Sequence, residues 1–388
     1  MSFFLKLKKA ISEKRLLKTL KNKFYPYFKG FILFFYSENL NIKIHVSTNK
    51  KIDKSDLELA KRIFNSYKLI KSHQANNSIL YKPASLWQKH IDNDFHFLIE
   101  SFKNNDVEKF LYFLQNFGNW EKYLGIENQD LIKKYNNNIF LKKFLAQEIF
   151  GGQLKLWKFF NKNGNIDEIE MPIYGNQIGA YVENKFTVIG SFLNDIYAKN
   201  LQNYLSDKNI ILELGGGYGK FAYYILKHNK NFKYIDFDIP ETLTLACYYL
   251  SKCFPEKKNF FYGEGEFNKD IQNKFDLIFL PPWEIEKLEE NSINLAINKN
   301  SLGEMDPKTA HNYLKHIHRT SKYFFSMNHE YFRNHFDDGN KSLVNKEYNL
   351  DGKFKELIRY PDLGHLIYER NRIDFDSNIF FYIYEKNN

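Results

Sequence analysis

Two patterns of hydrophobic spacing succeed one another along this chain. In the first, apolar residues return every three or four positions, as on helices with one buried stripe. Ser55-Asp56 opens such a stretch, with Leu57, Leu59, Ile63 and Tyr67 behind it. Pro83 opens a second, whose stripe is Trp87, Ile91, Phe95, Leu98 and Phe102. Asp106 to Phe117 continues it through Val107, Phe110, Leu111 and Leu114. Asn137 to Phe150 brings Phe140, Phe144 and Leu145 together, and Gly151-Gly152 then break the pattern. Asn41 to Ser47 is the exception: Ile42, Ile44 and Val46 alternate with Lys43, His45 and Ser47, as on a half-exposed strand. The stripes predict a helical bundle. The turn-rich segment Gly164 to Phe186 predicts a join, which divides the chain into a mostly helical part over 1–165 and a second domain over 166–388.

In the second pattern, short apolar runs alternate with helical stretches, as in a parallel sheet with covered faces. The helix Ser191 to Leu205 leads into the run Ile210, Ile211, Leu212 and Leu214. Further runs are Lys233 to Phe237, Phe260 to Tyr262, Phe275 to Leu280, Ile293 to Ile297 and Tyr323 to Met327. A helix begins at Pro240 and another at Asp306-Pro307, with proline in the first turn of each. Phe354–Tyr360 and Ile379–Tyr384 predict an antiparallel ending to the sheet.

The first of these strands carries the chemistry. After Leu214 come Gly215, Gly216, Gly217 and Gly219, and Phe221, Tyr224, Ile225 and His228 then share one helical face. Strand, glycine turn and helix form the entrance of a nucleotide-binding βαβ unit. Gly217-Tyr218-Gly219-Lys220-Phe221-Ala222 fits the G-x-G-x-x-A fingerprint of dinucleotide enzymes. Glu213-Leu214-Gly215-Gly216-Gly217-Tyr218-Gly219 fits the E-x-G-x-G-x-G loop of S-adenosylmethionine (SAM) methyltransferases. Glu213 favours the second: a carboxylate at the strand end repels a pyrophosphate and attracts the ammonium and sulfonium of SAM. Asp238, 23 residues after Gly215, stands at the spacing of a ribose-binding acid, which suits SAM and NAD equally.

A chain of 388 residues with 43% hydrophobic and 18% aromatic residues has material for about two domains with sizeable cores. The net charge is +10, but the cations are scattered among acids and form no nucleic-acid-binding motif. The expectation is therefore no nucleic acid, and an anionic small substrate such as a nucleotide sugar. Cys247 and Cys253 have neither metal nor disulfide spacing, and a reducing cytoplasm is the expected setting. No secretory signal is expected. Lys6 to Lys29 is basic with interleaved Leu and Phe, which predicts a solvated helix and at most weak membrane-surface association. Phe31 to Tyr36 is too short to span a bilayer.

Taken together, Glu213–Gly219, Asp238-Ile239-Pro240-Glu241-Thr242-Leu243 and Ser301-Leu302-Gly303-Glu304-Met305 resemble the motifs of the bacterial sugar O-methyltransferases, which are SAM-dependent class I methyltransferases. Fainter echoes are Tyr174-Gly175-Asn176, Leu280-Pro281-Pro282-Trp283, Asn298, Asn328, and Phe113–Phe117 with Leu124-Gly125. The resemblance spans roughly residues 80–330. The family has a proline after its Gly-Asn pair, where this chain has Gln177-Ile178. It implies an α/β, Rossmann-like methyltransferase domain preceded by a mostly helical one that covers the acceptor side. The reaction implied is methyl transfer from SAM to a sugar hydroxyl, on a sugar nucleotide or a surface glycan, as in polysaccharide biosynthesis. The cofactor-side residues implied are Glu213, Gly215, Gly217, Tyr218, Gly219 and Asp238. Tyr174, Asn176, Asn298, Ser301 and Asn328 are implied on the substrate side.

An alcohol reacts once its proton is taken, so a base is needed at the carboxyl ends of the strands. Glu304 follows a strand, His311 lies two helical turns on, and His329 follows the Tyr323–Met327 strand; His365 lies in the tail. The expectation gives proton removal to a histidine, His329 before His311, and gives Glu304 the sugar hydroxyls. Trp283, with Pro281, is expected to wall the adenine pocket, and Glu264 to meet the adenine amino group. No spacing predicts a metal site. An NAD-linked sugar oxidoreductase or epimerase and a non-catalytic SAM-fold protein of glycan assembly stand as alternatives. Oligomeric state is left open.

Overall fold

The structure is a computed structural model that describes residues 15–36, 40–126, 129–206, 209–350, 352–364 and 378–387. His365 and the start of the basic Lys6–Lys29 segment lie outside the described residues. The chain forms two compact units, one drawn from residues 1–47, 128–171 and 178–189, the other from 48–127, 172–177 and 190–388.

In the smaller unit the helix Arg15–Tyr36 packs on the helix Ile139–Phe144. Phe31 and Phe34 set their rings against Phe140 at 5.5 and 6.0 Å. Gly30 allows the close approach, since a Cβ there would sit 2.0 Å from the Phe140 carbonyl oxygen. Strands β1 (Ile42–His45), β2 (Gly179–Val182) and β3 (Lys185–Thr187) form an antiparallel sheet in that order. The strand expected at Asn41–Ser47 is thus present, whereas the β2–β3 hairpin replaces irregular chain in the predicted join. Its signal was Glu183-Asn184, a two-residue turn with φ of 50° and 69° between Ala180-Tyr181-Val182 and Lys185-Phe186-Thr187. The expected break at Gly151-Gly152 is absent. A helix runs Gly151–Phe160 through both glycines, and the missing side chain at Gly151 makes room for Leu40, whose Cδ1 would lie 2.8 Å from a Cβ.

The larger unit is built on an eight-stranded sheet. Its strands are β4 (Ile210–Leu214), β5 (Lys233–Phe237), β6 (Asn259–Phe261), β7 (Leu277–Leu280), β8 (Ile293–Lys299), β9 (Ser321–His329), β10 (Phe354–Pro361) and β11 (Ile379–Lys386). The order is β10-β11-β9-β8-β4-β5-β7-β6. β11 runs against its neighbours, and the other strands share one direction. The sheet therefore has the doubly wound, Rossmann-like form expected, with the antiparallel tail pairing Tyr360 to Phe381. β4, β5 and β7 are buried apolar runs because helices cover both faces. The chain leaves β4 toward β5 on one side and later crosses to β8 on the other. That reversal opens a crevice at the carboxyl ends of β4 and β8.

Helices Leu57–Gln74, Ser85–Asp94, His96–Lys103 and Val107–Asn116 belong to this same unit. The stripe from Trp87 to Phe102 is divided at Phe95 rather than continuous. Polar contacts pin this layer to the helix Pro240–Cys253. Tyr67 and Lys71 donate to Glu241 at 3.1 and 2.9 Å. Asp56, expected only as a helix start, accepts from Tyr248 at 2.7 Å and pairs with Lys252.

Candidate active site

A cleft of ≈ 190 Å³ opens at the crevice between β4 and β8. One side is the glycine loop with Glu213, Asp238, Ile239 and Thr242. Another is the turn after β8, with Lys299, Asn300, Ser301, Glu304 and Met305. Tyr81, Lys82, Trp87 and Tyr123 close it from the helical layer.

The loop is shaped by backbone that side chains resist. Gly215 and Gly217 have φ of +74° and +61°, in the left-handed region. A Cβ on Gly215 would strike Ser301, with Oγ at 2.5 Å, whereas one on Gly217 would meet nothing within 4 Å and project into open space. Asp238 locks the loop by accepting from the Gly217 amide at 2.9 Å and from the Ile239 amide at 2.7 Å. Tyr218 packs against Phe117, with ring centroids 5.5 Å apart.

Three carboxylates converge at this end of the sheet. Glu213 stands beside Asp236 in the β4–β5 register, and Asp238 follows β5. Burial pushes Glu213 up to about 7, against the hydrogen bond it accepts from Tyr234 and the charge of Lys299. The Tyr234 hydroxyl donates to it at 2.7 Å. Burial likewise pushes Asp238 up to about 6, against donors that include Thr242 and Gly217. Asp236, beneath Gly216, is held well above the carboxylate range by burial and by the charges of Asp238 and Glu213. Grouped acids in a dry site favour a cationic guest, whose charge would lower all three. The cleft also presents two buried polar atoms with no hydrogen-bond partner among the described residues, Asn194 Nδ2 and Asn300 Oδ1.

At the turn after β8, the Trp87 indole donates to Glu304 Oε2 at 2.6 Å. The turn carrying Glu304 hangs from a buried amide network. Asn328 Nδ2 donates to Asn298 Oδ1 at 2.9 Å, and Asn298 Oδ1 also accepts from the Leu302 amide at 3.1 Å. Asn298 Nδ2 and Ser301 Oγ both donate to the Leu214 carbonyl at 2.9 Å, tying this turn to the glycine strand.

The expected site residues therefore separate. Glu213, Gly215, Gly217, Tyr218, Asp238, Ser301 and Glu304 line the cleft. Gly219 starts the following helix in left-handed backbone. Asn298 and Asn328, fully buried, hold the Ser301–Glu304 turn from behind. Asn176 is buried, donating to Thr48 O and Asn116 Oδ1 at 2.9 and 3.0 Å, and Tyr174 lies under Lys252, whose Nζ is 5.2 Å from its ring. Neither residue lines the cleft. Glu264 is held by Arg62 at 2.7 Å and by the Phe261 amide at 2.9 Å. Trp283 and Pro281 are buried outside the lining, Trp283 edge-on to Tyr262. His311 faces the Glu347 carbonyl at 3.1 Å, and His329 faces Asn378 at 2.8 Å with Phe332 against its ring; neither histidine lines the cleft.

Sequence reasoning missed Trp87, Lys82, Asn194 and Asp236. Trp87 stood in a core stripe and Lys82 beside a proline, with nothing to mark them. Asp236 did carry a signal, an acid inside an otherwise buried apolar strand. Among the described residues no group of acids, histidines and cysteines is arranged to hold a metal ion.

No family model and no curated protein matches the chain. Among solved structures it is similar to the 1,6-didemethyltoxoflavin-N1-methyltransferase of Burkholderia thailandensis, a complex with 1,6-didemethyltoxoflavin and S-adenosylhomocysteine. The identity is 14% over 50% of this chain and 79% of that one, with a TM-score of 0.35. It is also similar to a SAM-dependent methyltransferase of Methanosarcina mazei, at 15% identity over 48% of this chain and 96% of that one, TM-score 0.33. A third similarity is to a SAM-dependent methyltransferase of Aquifex aeolicus, at 14% identity over 48% and 87%, TM-score 0.32.

Proposed function

We propose that this chain is a SAM-dependent O-methyltransferase whose acceptor is a carbohydrate hydroxyl. The observation that carries the cofactor is the pair of cleft-lining carboxylates Glu213 and Asp238 beside the open backbone of Gly217, with Asp236 buried beneath Gly216. A pyrophosphate would be repelled there, while a ligand bearing ammonium and sulfonium charges would restore the acids to their ionised form. The residues present fit SAM: Glu213 for the ammonium, Asp238 for the ribose hydroxyls, Gly217 for close backbone approach, and Asn194 as a buried donor awaiting an acceptor. When bound, SAM supplies an electrophilic methyl group.

The chain's own task is to position and deprotonate the acceptor. Glu304 is the group that fits this task, because it lines the cleft and Trp87 fixes its orientation. Aromatic faces at Tyr81, Trp87, Tyr123 and Tyr313 suit the C–H face of a sugar ring. Lys82 and Lys299 suit the phosphates of a sugar nucleotide. The sugar assignment draws its support from these walls and from the resemblance of the Ser301–Met305 turn. Calorimetry with SAM, S-adenosylhomocysteine and NAD tests the cofactor, with NAD binding in place of SAM overturning it. Incubation with methyl-labelled SAM and extracts of the native cells tests the acceptor. Label appearing in protein or nucleic acid rather than carbohydrate would sink the sugar reading.

A further inference from the structure

We propose that the helix Arg15–Tyr36 is an in-plane anchor that docks the chain on an anionic membrane surface. Phe24, Phe28 and Phe35 recur at helical spacing and form one stripe, with exposures of 59, 66 and 62%, while Phe31 beside them turns its ring to Phe140. The opposite face, at Pro26 and Gly30, is buried, and Gly30 is the point pressed on Phe140. The stripe thus points away from the packing that holds the helix. Ile139, Phe159 and Phe160 of the same unit add further exposed apolar surface. Aromatic surface exposed on this scale marks an interaction site.

Charge identifies the occupant. The helical segment carries Arg15, Lys18, Lys21, Lys23 and Lys29 and no acidic residue. A second copy of the helix would bring like charges together, whereas anionic phospholipid headgroups complement them. No described helix is long and apolar enough to cross a membrane, so the fitting geometry lies along the surface, with phenyl rings at the boundary between headgroups and acyl chains. Nothing in this depends on which cofactor the cleft binds.

The test uses the full chain with two sets of vesicles, pure phosphatidylcholine and phosphatidylcholine mixed with phosphatidylglycerol, in co-sedimentation. The expected result is partitioning at least roughly tenfold stronger on the anionic vesicles, reversed by salt. Phe24→Ser/Phe28→Ser should reduce it roughly tenfold or more, with circular dichroism and unfolding temperature unchanged because both rings are exposed. Lys21→Glu/Lys23→Glu should abolish the preference for anionic lipid. Equal partitioning on both vesicle types, no partitioning, or a serine variant that binds as the parent does would overturn the proposal. So would light scattering that shows the parent as a dimer and the serine variant as a monomer, with vesicle binding unaffected.

Discussion

Glu213 enters the cleft from the end of β4 as a buried acid pushed up to about 7, with Tyr234 donating to it. Near neutral pH it holds a proton for part of the time, and a cationic ligand displaces that proton. SAM affinity should therefore rise as pH climbs from about 5.5 to 8, and Glu213→Gln should flatten the profile and lower affinity at pH 8 roughly 10–100-fold. Glutamine can still accept from Tyr234, so its thermal unfolding should match or exceed the parent's. Titration calorimetry at several pH values checks both, and a flat profile in the parent would remove Glu213 from the cofactor. In the turn after β8, Glu304→Gln should lower turnover roughly 10²–10⁴-fold with SAM binding little changed. Trp87→Phe keeps an aromatic wall but loses the 2.6 Å bond to Glu304, so turnover should fall about tenfold or more. His311→Ala and His329→Ala, whose side chains lie outside the cleft lining, should retain turnover. A methyl-transfer assay reads all four, and loss of turnover in His329→Ala would return the base to the histidine.

Two elements place those residues. The glycine loop offers open space at Gly217, but its φ of +61° resists a branched side chain by about 1–3 kcal/mol. Gly217→Val should fold with lowered stability and bind SAM much more weakly, whereas Gly215→Ala should damage the fold itself by pressing on Ser301. Comparing unfolding temperatures with binding separates the two effects. The turn after β8 hangs on amides, and Asn328→Ala should cost about 1–3 kcal/mol by removing one of the two donors to Asn298 Oδ1 and leaving buried space behind the turn. Its unfolding temperature should drop by several degrees and turnover should fall with it, through a loosened Glu304. An Asn328→Ala protein as stable as the parent would show that the network does not hold the turn.

Across the molecule, the raised acids link folding to pH. Glu213 and Asp238, held at about 7 and 6, bind more protons folded than unfolded between their ordinary range near 4 and those values. These groups therefore take stability away as pH rises through that window, the reverse of a salt-bridged acid. A cationic ligand cancels the penalty. The rise in unfolding temperature on adding saturating SAM should thus be larger at pH 8 than at pH 5.5. A ligand-induced shift that is larger in acid would contradict the carboxylate account.

Strand periodicity, the glycine loop and the antiparallel tail were legible from the sequence because each depends on a few neighbouring residues: an apolar run buried on both faces, backbone that only glycine adopts easily, and alternation in a paired edge. The same locality misled at Gly151-Gly152, where the helix continues and the glycine serves packing: Leu40, far away in sequence, fills the space a side chain would need. Asp238 and Glu213 were legible as acids of the crevice from their place at strand ends, and both line the cleft. What only the tertiary structure decided was which distant groups meet them. Trp87 reaches Glu304 across 217 residues, and Asn328 reaches Asn298 across 30. His311 and His329 sit at promising positions along the chain, yet their side chains engage Glu347 and Asn378 instead of the cleft. Short-range backbone preference writes the elements into the sequence, while the direction a side chain takes at the end of a strand is set by packing against residues remote from it.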